Sequence, residues 1–132
     1  MLPVHRKIEM KIKINKMESL ALDWAVAKCE GDEFVVLDGK VFIPDCDGVD
    51  DPYHYRPSGS YNDGGPIIER EEISIWARGN EWAAESVVPN QQRLECVGPT
   101  PLIAAMRCYV ASQLGDEVEV PDQLFFEESK NV

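Results

Sequence analysis

The spacing of apolar residues changes several times along the chain, and the changes divide it into elements. In "IEMKIKI", Ile8, Met10, Ile12 and Ile14 fall on one side and charged residues on the other. A period of two predicts a half-buried strand over 8–14, with Lys11 and Lys13 on its solvated face. "SLALDWAVAKCEG" switches to helical spacing. Leu20, Trp24 and Ala27 form one apolar strip, and Ala21, Leu22, Ala25, Val26 and Cys29 form another. Lys28 separates the strips on one side, and Asp23 with Glu30 on the other. A helix over 19–30 is predicted, with Ser19 as cap, Asp23 in the first turn and Gly31 closing the end.

"FVVL" and "KVFI" flank Asp38-Gly39, a pair that favours a type I′ turn and predicts a hairpin over 34–43. Residues 44–66 hold four of the nine prolines and are expected to form a long exposed loop. Within it, "YNDGGPIIEREEISIW" places turn chemistry ahead of two isoleucines. "ISIWARGNEWAAES" predicts a second hairpin, with strands over 73–77 and 81–87. "VVPNQQRLECVG" reads as irregular, with at most one short strand. "TPLIAAMRCYVASQLG" predicts a helix over 100–114: Thr100 caps, Pro101 takes the first helical position and Gly115 closes. Leu102, Ile103, Met106, Val110 and Leu114 form its core face. Ala104, Ala105, Cys108, Ala111 and Ser112 form a face of small residues, which either admits a close layer or is simply solvated.

The fold class that results is α+β, a single domain. An antiparallel sheet packs against the two main helices and a short third helical segment near 64–72. The domain is expected to span residues 10–126, between an N-terminal extension (1–9) and a C-terminal tail (127–132).

Composition agrees with one globular domain: 132 residues, 44% apolar, with three Trp. A chain of this size buries enough surface to need no disulfide or metal staple. Charge narrows the partners. There are 24 Asp plus Glu against 13 Lys plus Arg, a net charge of −11. That field repels nucleic-acid phosphates and anionic membranes. It suits a basic protein surface or a protein whose DNA site the chain imitates, although solubility alone also accounts for it. Cysteines 29, 46, 96 and 108 form no Cys-x-x-Cys pair. Cys29 and Cys108 fall inside apolar helical patterns as small core residues. With no secretory or membrane-spanning pattern, the expected compartment is a reducing cytoplasm.

Four candidates for chemistry emerge. Asp45, Asp47, Asp50 and Asp51, with His54 nearby, could ligate a metal. The spacing fails the EF-hand pattern, since Gly48 comes early and Arg56 holds the twelfth position, so a solvated acidic loop is the simpler reading. Asn62, Asp63, Gly64 and Gly65 could present amides to an anion, but the phosphate-loop lysine is missing and Glu69, Glu71 and Glu72 crowd the site. A Cys–His pair would need His54, since His5 sits near the terminus, and nothing local supports one. Arg107, at the margin of a core face, can extend its head to water, pair with a loop carboxylate or a Glu69–Glu72 acid, or hold a ligand anion. No cofactor motif is present.

Three segments, "LDWAVAKCEG", "GGPIIEREEISI" and "GPTPLIAAMRCYVASQLGDEVEVP", resemble the NinX-type proteins of lambdoid phages and enterobacterial prophages over roughly residues 10–124. The resemblance implies a family start at a methionine matching Met10. The element order is also similar, more distantly, to small phage α-β-α sandwich domains, in which the segment matching Ser60–Glu72 is helical. Gly64, Gly65 and Pro66 argue against a regular helix there, so a helix beginning near Gly64 or broken at Pro66 is predicted. The resemblance implies a phage accessory protein in the bacterial cytoplasm and carries over no site residues. Three functions remain open. The first is a non-enzymatic acidic protein that binds a host or phage protein. The second is a small-molecule or nucleotide binder using a cleft between the 44–66 loop and the C-terminal helix. The third is a metal-dependent hydrolase using the Asp45–Asp51 loop.

Overall fold

The helix Pro101–Leu114 (α3) is the axis on which the other elements pack. Thr100 Oγ1 accepts the Ile103 N–H at 3.1 Å, and Pro101 sits where no donor is needed. Gly115, with φ 94°, closes the helix by donating its N–H to the Ala111 carbonyl at 2.9 Å. Between these ends Leu102, Met106 and Val110 are buried, and so are Ala104, Ala105, Cys108 and Ala111. The small-residue face is therefore covered rather than solvated. The computed structural model describes residues 9–17, 19–44, 52–87, 92–121 and 124.

Against α3 packs a three-stranded antiparallel sheet of Ser74–Arg78 (β5), Glu81–Val87 (β6) and Arg93–Gly98 (β7), in the order β5-β6-β7. Two helices, Ser19–Glu30 (α1) and Tyr61–Arg70 (α2), cover more of its circumference. Ala83 and Ala84 of β6 and Ala21, Ala25 and Ala27 of α1 are buried. Side chains this small let the layers approach closely. The C-terminal ends of α1 and α2 meet α3 at one cluster. Arg70 donates to both carboxylate oxygens of Glu30, at 2.7 and 3.0 Å, and the Tyr109 hydroxyl donates to Glu30 at 2.5 Å.

The remaining strands form two small sheets. Glu9–Lys13 (β1) pairs with Glu117–Pro121 (β8). Met10↔Val120 and Ile12↔Val118 alternate with Lys11↔Glu119 and Lys13↔Glu117, so one face is apolar and the other carries opposite charges side by side. Val35–Leu37 (β2), Lys40–Ile43 (β3) and Tyr53–His54 (β4) make the third sheet, in the order β2-β3-β4. Asp38 (φ 54°) and Gly39 (φ 72°) form the turn with both central residues left-handed, as a type I′ turn demands.

Every strand expected from alternation is present and antiparallel, but the pairing is divided over three sheets. The segment read as irregular contains the six-residue β7, and β8 was not foreseen. α2 corrects a second expectation. It begins at Tyr61, three residues before Gly64, and runs through Pro66 unbroken. Pro66 is exposed, and so is Asn62, whose carbonyl loses the i→i−4 bond, so water can serve it. Gly64 is there for space: a Cβ would lie 2.6 Å from the Pro57 carbonyl oxygen and 2.7 Å from a Leu102 methyl. Ser60 occupies the cap position, but through its carbonyl, which accepts from Asp63 and Gly64, rather than its side chain.

Candidate functional site

A groove of about 300 Å³ opens beside the first turns of α1. Ser19, Leu20 and Asp23 form one wall, and Gly39, Lys40 and Val41 of the β2–β3 turn another. His54 of β4, the turn Arg56–Gly59 and Ile103 of α3 complete it. The 56–59 turn is held by Gly59 and Ser60 N–H groups donating to the Arg56 carbonyl at 3.0 and 2.8 Å. The Arg56 guanidinium folds over this turn, its Nη2 2.8 Å from where a Cβ on Gly59 would stand.

Asp23 corrects the sequence reading of α1. It is the fifth residue of the helix, not part of its first turn, and it is buried with the apolar residues on either side of it. Its carboxylate accepts the Ser58 N–H at 2.8 Å. Burial pushes its pKa up to about 6, against the pull of the Ser58 hydrogen bonds and the Arg56 charge. A carboxyl whose proton is exchangeable near neutrality is thus built into the groove wall. His54 is moved the other way: partial burial lowers its pKa first, and the nearby Lys40 and Arg56 charges add to the effect. Its ring lies 5.5 Å from that of Phe42. Lys40, His54 and Arg56 therefore share one small space in a chain of net charge −11. The ion pairs among the described residues, Arg70–Glu30, Arg70–Glu71, Arg78–Glu95 and Arg93–Glu85, all lie elsewhere. A larger hollow, about 400 Å³, is lined by Lys11 and Lys28 with Glu117 and Glu119, whose charges offset one another.

Two carboxylates hold the segment that carries Arg56. Asp63 accepts the Tyr53 hydroxyl at 2.6 Å and the Arg56 N–H at 2.7 Å, and Asp23 takes Ser58 from the other side.

The candidates from sequence fall in different places. His54 lines the groove. Asp63 is the tie just described, and Asn62 is exposed on α2. The Gly64 N–H is used within the helix, donating to Ser60 at 2.9 Å, and Gly65 faces open space. Arg107 neither extends to water nor lines the groove. It is buried at 5% exposure and donates to the carbonyls of Met17 and Val97, at 2.8 Å each. It ties the chain ahead of α1 and strand β7 to α3 by donating to the carbonyls of buried Met17 and half-buried Val97. Asp45, Asp47, Asp50 and Asp51 lie outside the described residues, as do His5 and Cys46. Among the described residues no three His, Cys, Asp or Glu gather as a metal site. Cys108 and Cys96 are buried neighbours, and Cys108 donates to the Leu94 carbonyl at 3.3 Å.

Sequence reasoning missed Asp23, Lys40, Arg56 and Ser58. One signal was available: an acid flanked by apolar residues on both sides in "LALDWAVA" lies too deep in a helix to be a boundary charge.

No helix among the described residues is long and apolar enough to cross a membrane. No curated protein matches the chain. The family model described as "Bacteriophage P22, NinX" matches residues 13–113, which include α1, the groove and nearly all of α3. With the match running over most of its length, the chain belongs to the NinX family of phage proteins.

Proposed function

We propose that this phage accessory protein is a binding protein whose working site is the groove beside α1, and that the groove captures a small anionic group, a carboxylate or a phosphate. One observation carries the reading: Lys40, His54 and Arg56 converge on a single hollow in a strongly acidic chain. Lys40 and Arg56 are like charges that repel, and an anion between them removes that cost, while His54, whose lowered pKa favours the neutral imidazole, offers a ring N–H. Asp23 serves by position. It sits behind Ser58 and holds the turn from which Arg56 reaches over the groove. The stretch 44–66, expected as one long exposed loop, instead carries β4 and the first turn of α2. It supplies His54, Arg56, Ser58 and Gly59 to the groove and α3 supplies Ile103, whereas Asn62, Asp63, Gly64, Gly65 and Arg107 do not line it.

Thermal unfolding tests this directly. Millimolar inorganic phosphate or butyrate, each against sodium chloride of equal ionic strength, is expected to raise Tm. The rise is expected to disappear in a Lys40→Ala, Arg56→Ala double variant. Equal responses to all three salts would overturn the proposal.

A further inference from the structure

The groove does not end at the side chains that face the anion. Lys40 and His54 also belong to the outer face of the β2–β3–β4 sheet. Lys40 is the cross-strand partner of Leu37, and His54 the partner of Phe42, which pairs in turn with Val35. Paired residues point to the same side, so Leu37, Val35 and Phe42 form an apolar strip directly beside the groove. Val35 is 49% exposed and Leu37 57%. Both lie on the edge strand of that sheet among the described residues. Across a two-residue turn the closing pair Leu37↔Lys40 is hydrogen-bonded, and so is Val35↔Phe42 two residues on. Val36 between them therefore directs its N–H and C=O away from β3, towards the open edge.

An anion-holding groove, an apolar strip and a free backbone edge stand side by side. We infer that together they take the free C-terminal segment of a partner protein: its carboxylate enters the groove among Lys40, His54 and Arg56, and its last apolar residues run along the strip, paired with β2. This rests on the reading of the groove as an anion site. The open edge chooses a peptide over a lipid, because a hydrocarbon chain has nothing to offer the Val36 N–H and C=O, whereas an extended peptide satisfies both. Charge agrees. The flanks of β2 carry Asp32, Glu33 and Asp38, and the chain totals −11. That excludes anionic bilayers and favours a segment with Lys or Arg upstream of its apolar end. About four extended residues, at roughly 3.3 Å each, span the strip.

The test is selection of a display library of random peptides with free C-termini, followed by binding of the enriched peptide to the full chain. Enrichment of apolar termini is expected, with affinity falling at least about tenfold when the terminal carboxylate is amidated. Binding is also expected to weaken at least about tenfold for Leu37→Ser, an exposed substitution whose folding is checked by its Tm. The phosphate-induced Tm rise is expected to persist in Leu37→Ser, an uncharged change that places no new carboxylate beside its cross-strand partner Lys40. No enrichment, or equal binding of free and amidated peptides, with the phosphate response intact, would overturn this inference and leave the anion groove standing. Co-sedimentation with phosphatidylglycerol vesicles in place of peptide binding would also overturn it. Loss of the phosphate response in the unaltered protein would instead fail the groove reading itself.

Discussion

The two sides of α1 obey different physics. Towards α3 and the β5–β7 sheet the molecule is dry: Val26, Ala84, Ala104, Ala105, Met106, Cys108 and Val110 have no exposed surface. Arg107, a charge buried there, donates to two backbone carbonyls. Towards the groove, side chains of mixed charge hold a loop in place, and Asp23 is kept at a pKa near 6 where an amide could make the same hydrogen bond. The first arrangement lowers the free energy of the fold. The second raises it, and groups held at an energetic disadvantage are characteristic of binding sites. Changes to the dry side should therefore act on stability, and changes to the groove should separate stability from binding.

The largest loss is expected at Arg107. Arg107→Met keeps the volume and removes the donors, at about 1–3 kcal/mol for the carbonyl of buried Met17 and less for that of half-buried Val97. Urea denaturation is expected to show a loss of about 3 kcal/mol, which lysine, as a single point donor, restores only in part. A loss under about 1 kcal/mol would mean that the dry side tolerates an unpaired carbonyl.

Asp23→Asn is expected to act with the opposite sign. The folded pKa of Asp23, about 6, stands above its ordinary value of 3.8. Between those values the folded state holds a proton that the unfolded chain has released. The stability contributed by that proton is complete below about pH 4 and is lost as pH rises through 6. That rise corresponds to about 3 kcal/mol. Asparagine still accepts the Ser58 N–H, so the variant is expected to be more stable than the parent at pH 7, by up to that amount, and equal to it near pH 4. Denaturation at pH 4, 5.5 and 7 measures the convergence. A variant less stable than the parent at pH 7 would show that Asp23 supports the fold rather than strains it.

Gly64 and Gly65, adjacent in α2, turn the same contrast into one pair of variants. Gly64→Ala drives a methyl into the Pro57 carbonyl and Leu102 and is expected to cost about 2 kcal/mol. Gly65→Ala meets open space within a helix and is expected to gain up to about 1 kcal/mol. Thermal melts give both signs, and a loss in both would show that α2 is strained as a whole.

These contrasts explain what was legible from sequence. The span and ends of α3 and the Asp38-Gly39 hairpin are legible because their signals are local: a cap, a proline and a glycine lie within one segment. The core face of α3 is legible only in part, since Leu114 is 40% exposed and Ile103 half-buried. Propensity alone shortens the Ile67–Ile68 helix, because Gly64 and Pro66 count against it. The contact with Pro57 that makes Gly64 necessary is tertiary. The groove was illegible for the same reason. Asp23 and Ser58 are 35 residues apart, and Lys40 reaches the site from a third segment. A periodicity argument sees the Asp23 charge and assigns it to a helix boundary. Only the loop that folds over it shows why it is buried.

The smallest change in stability is expected at Asp63, and it decides most about the comparison. Its bonds to the Tyr53 hydroxyl and the Arg56 N–H lie near the surface, where water replaces them easily. Asp63→Ala is expected to cost less than about 1 kcal/mol. The same bonds fix the backbone of Arg56, and a guanidinium released from its position pays ordering entropy each time it meets an anion. The phosphate-induced rise in Tm is therefore expected to shrink by more than half while the unliganded Tm moves only slightly. If the two fall together, the groove is merely a less dry part of the same core. If binding falls alone, the loop tie at Asp63 exists for the ligand, and the polar side of α1 is the side that works.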